Sequence, residues 1–208
     1  MKLGGNRYVC IMSSKKFKLA IFASGSGTNA EEIMRYFQHH EAVEVVLLLS
    51  NHAEAFALQR AKKFGVETFV FSKTQFRDSD EVLTWLRQKS VTHLVLAGFM
   101  WLVPPNLIQA FPQGIVNIHP SLLPRFGGKG MYGMHVHEAV KAAGETETGI
   151  TIHQVNEQYD KGRILFQAKC PVLPTDTTQE IAEKVHALEY AHFPKTIEEW
   201  LLGKLTSP

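Results

Sequence analysis

Short apolar runs alternate with amphipathic stretches along most of the chain. The run FKLAIFA at 17–23 predicts a buried strand, and the following stretch, 28–40, has apolar residues such as Ile33 and Phe37 at helical spacing. The predicted strands are apolar on both faces, as strands of a parallel sheet covered on both sides are. This pattern predicts strands at 17–23, 43–50, 66–71 and 92–98, and helices at 28–40, 54–64 and 76–89, the first of them capped by Thr28 or Asn29.

The second half of the chain departs from this regular alternation. A loop rich in glycine and proline at 120–134 is long enough to suggest a functional role. Around it the pattern predicts helices at 102–110, 134–143 and 177–202 and strands at 114–118, 148–155 and 163–171. The whole pattern predicts an α/β fold: one domain with a doubly wound, mostly parallel sheet related to the Rossmann arrangement.

Composition narrows the class of protein. Of 208 residues, 45% are hydrophobic and 20% charged, which suits a globular domain and excludes disordered, collagen-like and disulfide-scaffold proteins. The net charge of +2, without a long basic run, argues against nucleic acid as a partner. The early apolar run at 19–23 is too short to span a bilayer, so we expect no membrane association.

The cysteines and the first residues bear on localisation. Cys10 and Cys170 are far apart and fit no zinc or redox spacing, which favours a reducing cytoplasm. Residues 1–16 lack the features of a signal peptide and are predicted to form a flexible leader. Met12 is a plausible alternative start, so residues 1–11 are interpreted as a start-site artefact.

The segment SGSGTN at 24–29 joins the first predicted strand to the first predicted helix. Glycines free backbone N–H groups to approach an anion, and a helix N-terminus adds partial positive charge, so a phosphate monoester is the expected guest. Two alternatives remain: a tight turn that binds nothing, and a dinucleotide loop, since Gly25-x-Gly27-x-x-Ala30 fits a loose fingerprint. The dinucleotide hypothesis also requires an acidic residue after the second strand. The sequence has Ser-Asn-His at positions 50–52 instead.

Asn117 and His119 lie two residues apart at the end of a predicted strand, and therefore on the same side of it. An amide can stabilise a developing oxyanion and a neighbouring imidazolium can donate a proton, which suits attack on a carbonyl carbon. Such a pair needs a carboxylate to keep the imidazole charged, and Asp160 in a late turn is the candidate. Asn-x-His is common, however, and Asp-Lys-Gly is an ordinary hairpin turn.

Histidines also raise a metal hypothesis. The candidate ligands of a metal-dependent hydrolase are His119, His135, His137 and His153. The chain has 10 histidines, enough to produce such pairs by chance, and no HExxH or cysteine pair accompanies them. No metal is therefore expected.

Several motifs in order resemble the phosphoribosylglycinamide formyltransferase family of purine (IMP) biosynthesis. They include SGSGTN (24–29), LAGFM (96–100), NIHPSLLPRF (117–126), TGITIH (148–153), YDKG (159–162) and QAKCPV (167–172). The resemblance implies two halves, 17–100 for phosphate and 101–208 for folate and catalysis. It also implies formyl transfer from 10-formyltetrahydrofolate, a co-substrate and not a tightly bound cofactor, to the glycine amine of 5-phosphoribosyl-glycinamide.

The resemblance also implies roles for particular residues. Asn117 stabilises the oxyanion, and His119, charged and paired with Asp160, donates the proton. The implied ribonucleotide-binding residues are Gly27, Thr28, Asn29, His186 and Glu189. The implied folate-binding residues are Arg77, Met100, Trp101, Leu102, Val103, Asn117, Asn156, Glu157, Gln158, Tyr159 and Asp160.

This chain departs from the family pattern at three places. Trp101 stands where arginine is common, His186 stands where lysine or glutamine is usual, and the loop 127–133 is longer than in many relatives. Related enzymes that formylate initiator tRNA or hydrolyse formyl-folate carry an additional domain, which 208 residues would not accommodate. The expected partners are therefore small molecules, for a monomer or homodimer in the cytoplasm.

Overall fold

A computed structural model describes residues 16–205 of the chain, as one seven-stranded sheet covered by helices on both faces. The strands are β1 (Phe17–Phe22), β2 (Val43–Ser50), β3 (Glu67–Val70), β4 (His93–Leu96), β5 (Ile115–His119), β6 (Glu147–Gln154) and β7 (Ile164–Pro171). The helices are α1 (Thr28–Phe37), α2 (Phe56–Lys63), α3 (Lys73–Arg77), α4 (Glu81–Gln88), α5 (Pro105–Ala110), α6 (Met134–Ala142) and α7 (Thr178–Leu201). The predicted leader and start-site artefact lie outside the described residues, except for Lys16.

The sheet order is β3-β2-β1-β4-β5-β6-β7, parallel from β3 to β5 and antiparallel through β6 and β7. The chain winds outward from β1 in one direction and returns to start again at β4. Adjacent parallel strands whose connections leave in opposite directions open a crevice at their carboxyl ends. The predicted single-domain α/β fold is confirmed, and its crevice lies between β1 and β4.

Alternation along β1 divides the core into two layers. Leu19 and Ile21 are fully buried against α1, α2 and α7, whereas Ala20 and Phe22 are buried against α3, α4 and α5 on the opposite face. Because successive strand side chains point to opposite faces, an apolar run without a polar break requires helices on both sides. Among residues 16–205, no helix is long and apolar enough to cross a membrane.

The helix predicted at 76–89 is wrong in its bounds. The structure has two helices there, α3 and α4, and α3 begins three residues earlier because Ser72 and Gln75 form a capping box. Ser79 interrupts the continuation by donating its hydroxyl to the Gln75 carbonyl. Short polar side chains that bond to nearby backbone groups compete with helical hydrogen bonds, and here they end one helix before the next begins.

We predict that Gly149→Ala destabilises the protein by about 1–3 kcal/mol, because overpacking forces the backbone to shift. A Cβ at Gly149 would lie 1.9 Å from the carbonyl oxygen of Ala168 on the paired strand. The free energy of unfolding in urea measures the loss. Gly114→Ala is the control, because its added Cβ would meet its nearest neighbour at an ordinary 3.4 Å. Equal stability of the two variants would contradict the prediction.

Candidate active site

A cavity of about 630 Å³ opens at the carboxyl ends of β1, β4 and β5. The glycine loop lines one end of it, together with side chains of α7. The segment 96–103 and the turn 155–160 line the other end, and loop 128–134 runs along its rim. The carboxyl ends of three neighbouring strands therefore face one cavity.

The glycine loop requires glycine at position 27. Gly27 has φ 71°, in the left-handed region, and a Cβ there would lie 2.4 Å from the Cβ of Ala57. Gly27 is itself the N-cap of α1, without a side-chain hydrogen bond, so the prediction that Thr28 or Asn29 caps this helix is wrong. Without a cap, the first backbone N–H groups of α1 stay free to bind an anion.

Asn29 connects the glycine loop to α7. Its Nδ2 donates to Oε2 of Glu189 at 2.8 Å, while its Oδ1 is buried without a partner. Burial raises the pKa of Glu189, and the Asn29 hydrogen bond and the neighbouring His186 only partly offset that rise. All five predicted ribonucleotide-binding residues, Gly27, Thr28, Asn29, His186 and Glu189, line this end of the cavity.

The end of β2 bears on the dinucleotide alternative. The Ser50 hydroxyl accepts a hydrogen bond from the backbone of His52, and residues 51–53, which follow the strand directly, include no carboxylate. The backbone of the glycine loop is held by α2 instead: the Gly25 carbonyl accepts from Ala57 N, and the Ser26 carbonyl accepts from Arg60 Nε. The ribose-binding acid of a dinucleotide site is absent at this position.

The structure brings Asn117, His119 and Asp160 together. Asn117 and His119 lie on one side of β5 and pair with His153 and Thr151 of β6. Asp160 lies in the turn after β6, with its Oδ2 3.7 Å from Nδ1 of His119. The spatial convergence that the sequence predicted is present in the fold.

Backbone geometry fixes the position of Asp160. The residue has φ 53°, in the left-handed region, and its Oδ2 accepts a hydrogen bond from Gly128 N at 2.8 Å. The following turn passes so close to β6 that a Cβ at Gly162 would lie 1.6 Å from the Gln154 carbonyl oxygen. The turn and the rim loop therefore hold the carboxylate jointly against His119.

His153 is a functional residue that sequence reasoning missed, having named it only as a metal ligand. Its Nδ1 lies 2.8 Å from the Gln154 carbonyl oxygen, and its Nε2 lies 3.0 Å from Asn117 Nδ2. The same Nε2 lies 3.5 Å from Oδ1 of Asp160. His153 thus orients the predicted oxyanion donor, and only the β5–β6 register could have revealed this.

Burial sets the charge of the site. Burial lowers the pKa of His119, and neither Asp160 nor the Phe126 carbonyl fully offsets this effect. Burial would raise the pKa of Asp160, but His153, His119 and the Gly128 N–H together hold it below its usual value. The lowered pKa of His119 runs against the prediction of a charged imidazole near neutral pH and favours a neutral ring beside an ionised carboxylate.

The hydrogen bonds of His119 also decide which nitrogen exchanges a proton. Nε2 lies 2.7 Å from the carbonyl oxygen of Phe126, which can only accept, so Nε2 carries the hydrogen. Nδ1, facing Asp160, is then the atom that gains and loses a proton. Phe126 has φ 53°, a left-handed conformation that aims its carbonyl at the ring.

The four histidines of the metal hypothesis do not form a ligand set. His135 is exposed and lies outside the cavity, whereas His119, His137 and His153 line it. Within residues 16–205, no group of three or more His, Cys, Asp or Glu side chains could hold a metal ion. His137 is a second residue whose place in the cavity sequence reasoning missed. It lines the cavity although it is only 2% exposed.

The predicted folate-binding residues divide into two groups. Nine of the eleven line the cavity: Met100, Trp101, Leu102, Val103, Asn117, Asn156, Gln158, Tyr159 and Asp160. Trp101, which stands where arginine is common, packs its ring against Phe71 and Phe76. Arg77 and Glu157 are exposed and lie outside the residues that line the cavity.

Comparison with known proteins identifies the class to which this fold and site belong. The model of the formyl transferase family matches residues 17–197, so the chain belongs to that family. A relative from Haemophilus influenzae, named phosphoribosylglycinamide formyltransferase, is 34% identical over 193 residues, covering 90% of this chain and 89% of the relative. The family resemblance inferred from the motifs is confirmed.

Two further relatives extend the comparison. The chloroplastic phosphoribosylglycinamide formyltransferase of Arabidopsis thaliana is 42% identical over 183 residues, or 82% of this chain. This chain spans 61% of the length of that protein and of its Vigna unguiculata counterpart. The crystal structure of phosphoribosylglycinamide formyltransferase from Brucella melitensis superposes with a TM-score of 0.81 at 35% identity, covering 93% of this chain and all of that one.

We predict that His137 makes the protein less stable in acid. Burial, His186 and His119 lower the pKa of His137 from 6.5 to about 4, so below pH 6.5 the unfolded chain binds a proton that the folded protein does not. From pH 7 to pH 4.5 this difference removes about 2–3 kcal/mol of stability. The free energy of unfolding in urea, measured at both pH values, gives the loss. Between them His137→Phe should lose about 2–3 kcal/mol less stability than the unchanged protein. Equal losses would contradict the prediction.

Proposed function

We propose that this protein transfers the formyl group of 10-formyltetrahydrofolate to the glycine amine of 5-phosphoribosyl-glycinamide. The observation that carries the proposal is that one cavity joins an uncapped helix N-terminus to the group formed by Asn117, His119 and Asp160. An acceptor with a phosphate at one end and an amine at the other fits this arrangement. Relatives of that name support the proposal.

The phosphate of the acceptor would bind at the glycine loop, on the first N–H groups of α1 and the side chains of Thr28 and Asn29. Glu189, already bonded to Asn29, lies where ribose hydroxyls would follow. Of the lysines and arginines in the described part of the chain, only Lys129 lines the cavity, so backbone N–H groups and the helix dipole carry most of the anion binding.

The pterin would occupy the opposite end, between the segment 100–103 and the turn 156–160. Its amide-like edge offers donors and acceptors that backbone groups of these segments could meet. Met100 N is already bonded to the Ser24 hydroxyl, which ties this wall to the glycine loop. Folate contacts of Arg77 and Glu157 remain proposals that rest on the family resemblance, because neither residue lines the cavity.

The reaction moves one proton from the attacking amine to N10 of the folate, so protons are neither taken up nor released overall. The amine attacks the formyl carbon, and Asn117 donates to the oxygen as the tetrahedral intermediate forms. Nδ1 of neutral His119 accepts the amine proton, and Asp160 stabilises the imidazolium that results. The same nitrogen then returns the proton to N10 as the C–N bond to folate breaks.

The remaining predictions accompany this proposal. The formyl-folate is a co-substrate and no tightly bound cofactor takes part. Small molecules are the expected partners, with the protein acting as a monomer or homodimer. A cytoplasmic location still rests on the spacing of the two cysteines alone.

Deformylation of 10-formyltetrahydrofolate, followed by absorbance with and without the phosphoribosyl acceptor, tests the proposed function. We expect turnover only when the acceptor is present, with formylated ribonucleotide formed in equal amount. Equal rates in both conditions would indicate a hydrolase, and no turnover in either would refute the proposal.

We predict that Asp160→Asn lowers kcat by at least about a hundredfold, the scale of lost acid–base catalysis. The neutral amide cannot stabilise an imidazolium at His119, although it can keep the hydrogen bond from Gly128. Steady-state kinetics measure the effect. Asp78→Asn, at an exposed helix end, is the matched control and should leave kcat unchanged. Near-normal kcat in Asp160→Asn would remove this residue from the mechanism.

We predict that Thr28→Ala raises the KM of the ribonucleotide roughly tenfold, since a hydrogen bond to a charged group is lost. The KM of the formyl-folate should stay within twofold, because the two ligands occupy opposite ends of the cavity. Thr84→Ala, on the exposed face of α4, is the control. Equal rises in both KM values would count against phosphate binding at the glycine loop.

A further inference from the structure

His137 on α6 lines the cavity together with His119 of the catalytic group and His186 on α7. Both of those histidines are close enough to His137 to lower its pKa. The His137 and His186 rings are 6.3 Å apart and nearly perpendicular. His137 is therefore a cavity residue close both to His186 of α7 and to His119 of the catalytic group.

His137 has no hydrogen-bond partner within the described part of the protein, although it is only 2% exposed. Its Nδ1 is buried and unpaired, so the cavity is reached through the other ring nitrogen, Nε2. A buried N–H that is left unpaired costs stability, and of the two ring nitrogens only Nε2 is placed where water or a ligand can accept a hydrogen. The neutral ring therefore carries its hydrogen on Nε2, where a ligand can accept it.

We propose that His137 is a substrate-binding residue that donates its Nε2–H to an oxygen of the acceptor, between the phosphate and the reacting amine. The inference rests on the proposed function, which places the phosphate at α1 and the amine at His119. A neutral donor suits this position, because a positive charge here would lower the affinity of His119 for the proton that it accepts during the reaction.

The surroundings of His137 favour the acceptor over the folate. Its nearest ring neighbour, His186, is one helical turn before Glu189, which bonds to Asn29 of the glycine loop. The proposed pterin walls, 100–103 and 156–160, belong to other segments of the chain. Either a ribose hydroxyl or the glycinamide carbonyl could supply the oxygen.

Two substitutions separate hydrogen bonding from packing. His137→Phe keeps a ring of similar size and removes both nitrogens, whereas His137→Gln keeps an N–H donor near the position of Nε2. His135→Phe is the matched control, because His135 lies on the same helix but is exposed and outside the cavity. The KM of each substrate, kcat and the thermal midpoint are measured for the three variants beside the unchanged protein.

We expect His137→Phe to raise the KM of the ribonucleotide roughly three- to tenfold, the loss of one neutral hydrogen bond. The KM of the formyl-folate should not change, and the thermal midpoint should stay equal or rise, because an unpaired buried nitrogen is removed. His137→Gln should recover most of the affinity, and His135→Phe should match the unchanged protein.

An unchanged ribonucleotide KM in folded His137→Phe would overturn the inference, as would equal changes in both KM values. Failure of the proposed function gives a different result, because the unchanged protein would then show no acceptor-dependent turnover. An acceptor lacking ribose hydroxyls identifies the oxygen: the effect of His137→Phe disappears with it if a hydroxyl is the partner, and persists if the glycinamide carbonyl is.

Discussion

The site depends on one carboxylate held between two buried imidazoles. Asp160 faces Nδ1 of His119 with one oxygen and Nε2 of His153 with the other, at 3.7 and 3.5 Å. Burial lowers the pKa of His119, whereas the pKa of Asp160, whose Oδ2 accepts from the Gly128 N–H, stays below its usual value. The resulting negative charge raises the proton affinity of His119 once the reaction releases a proton, without protonating it beforehand.

Holding that carboxylate constrains the backbone around it. Asp160 and Phe126 both adopt left-handed conformations, one aiming the acid at the His119 ring and the other aiming a carbonyl at its far nitrogen. Such conformations are costly outside glycine and persist where the surrounding structure fixes them. The rim loop and the residue two positions before it are thus part of the site geometry, because Gly128 bonds to Asp160 and Phe126 to His119.

The fold was largely predictable from the sequence, because apolar runs such as 17–23 can be buried only in a sheet covered on both faces. The convergence of Asn117, His119 and Asp160 followed from strand period and motif order. The role of His153 did not, since it depends on the register of an antiparallel pair. The lowered pKa of His119 did not follow from the sequence, because pairing with an acid is visible in a sequence whereas the depth of burial is not. The break between α3 and α4 depended on a serine hydroxyl bonding to the backbone.

The protonation state of His119 tests this account most directly. Imidazole ¹⁵N chemical shifts, recorded by NMR across pH 5 to 8 on the unchanged protein, report which nitrogens carry hydrogen. The account predicts a neutral His119 with hydrogen on Nε2 at pH 6.5, and a pKa that falls further in Asp160→Asn, because that carboxylate is the main group favouring the charged form. A His119 that is half protonated at or above pH 6.5, or whose pKa does not respond to Asp160→Asn, would contradict it.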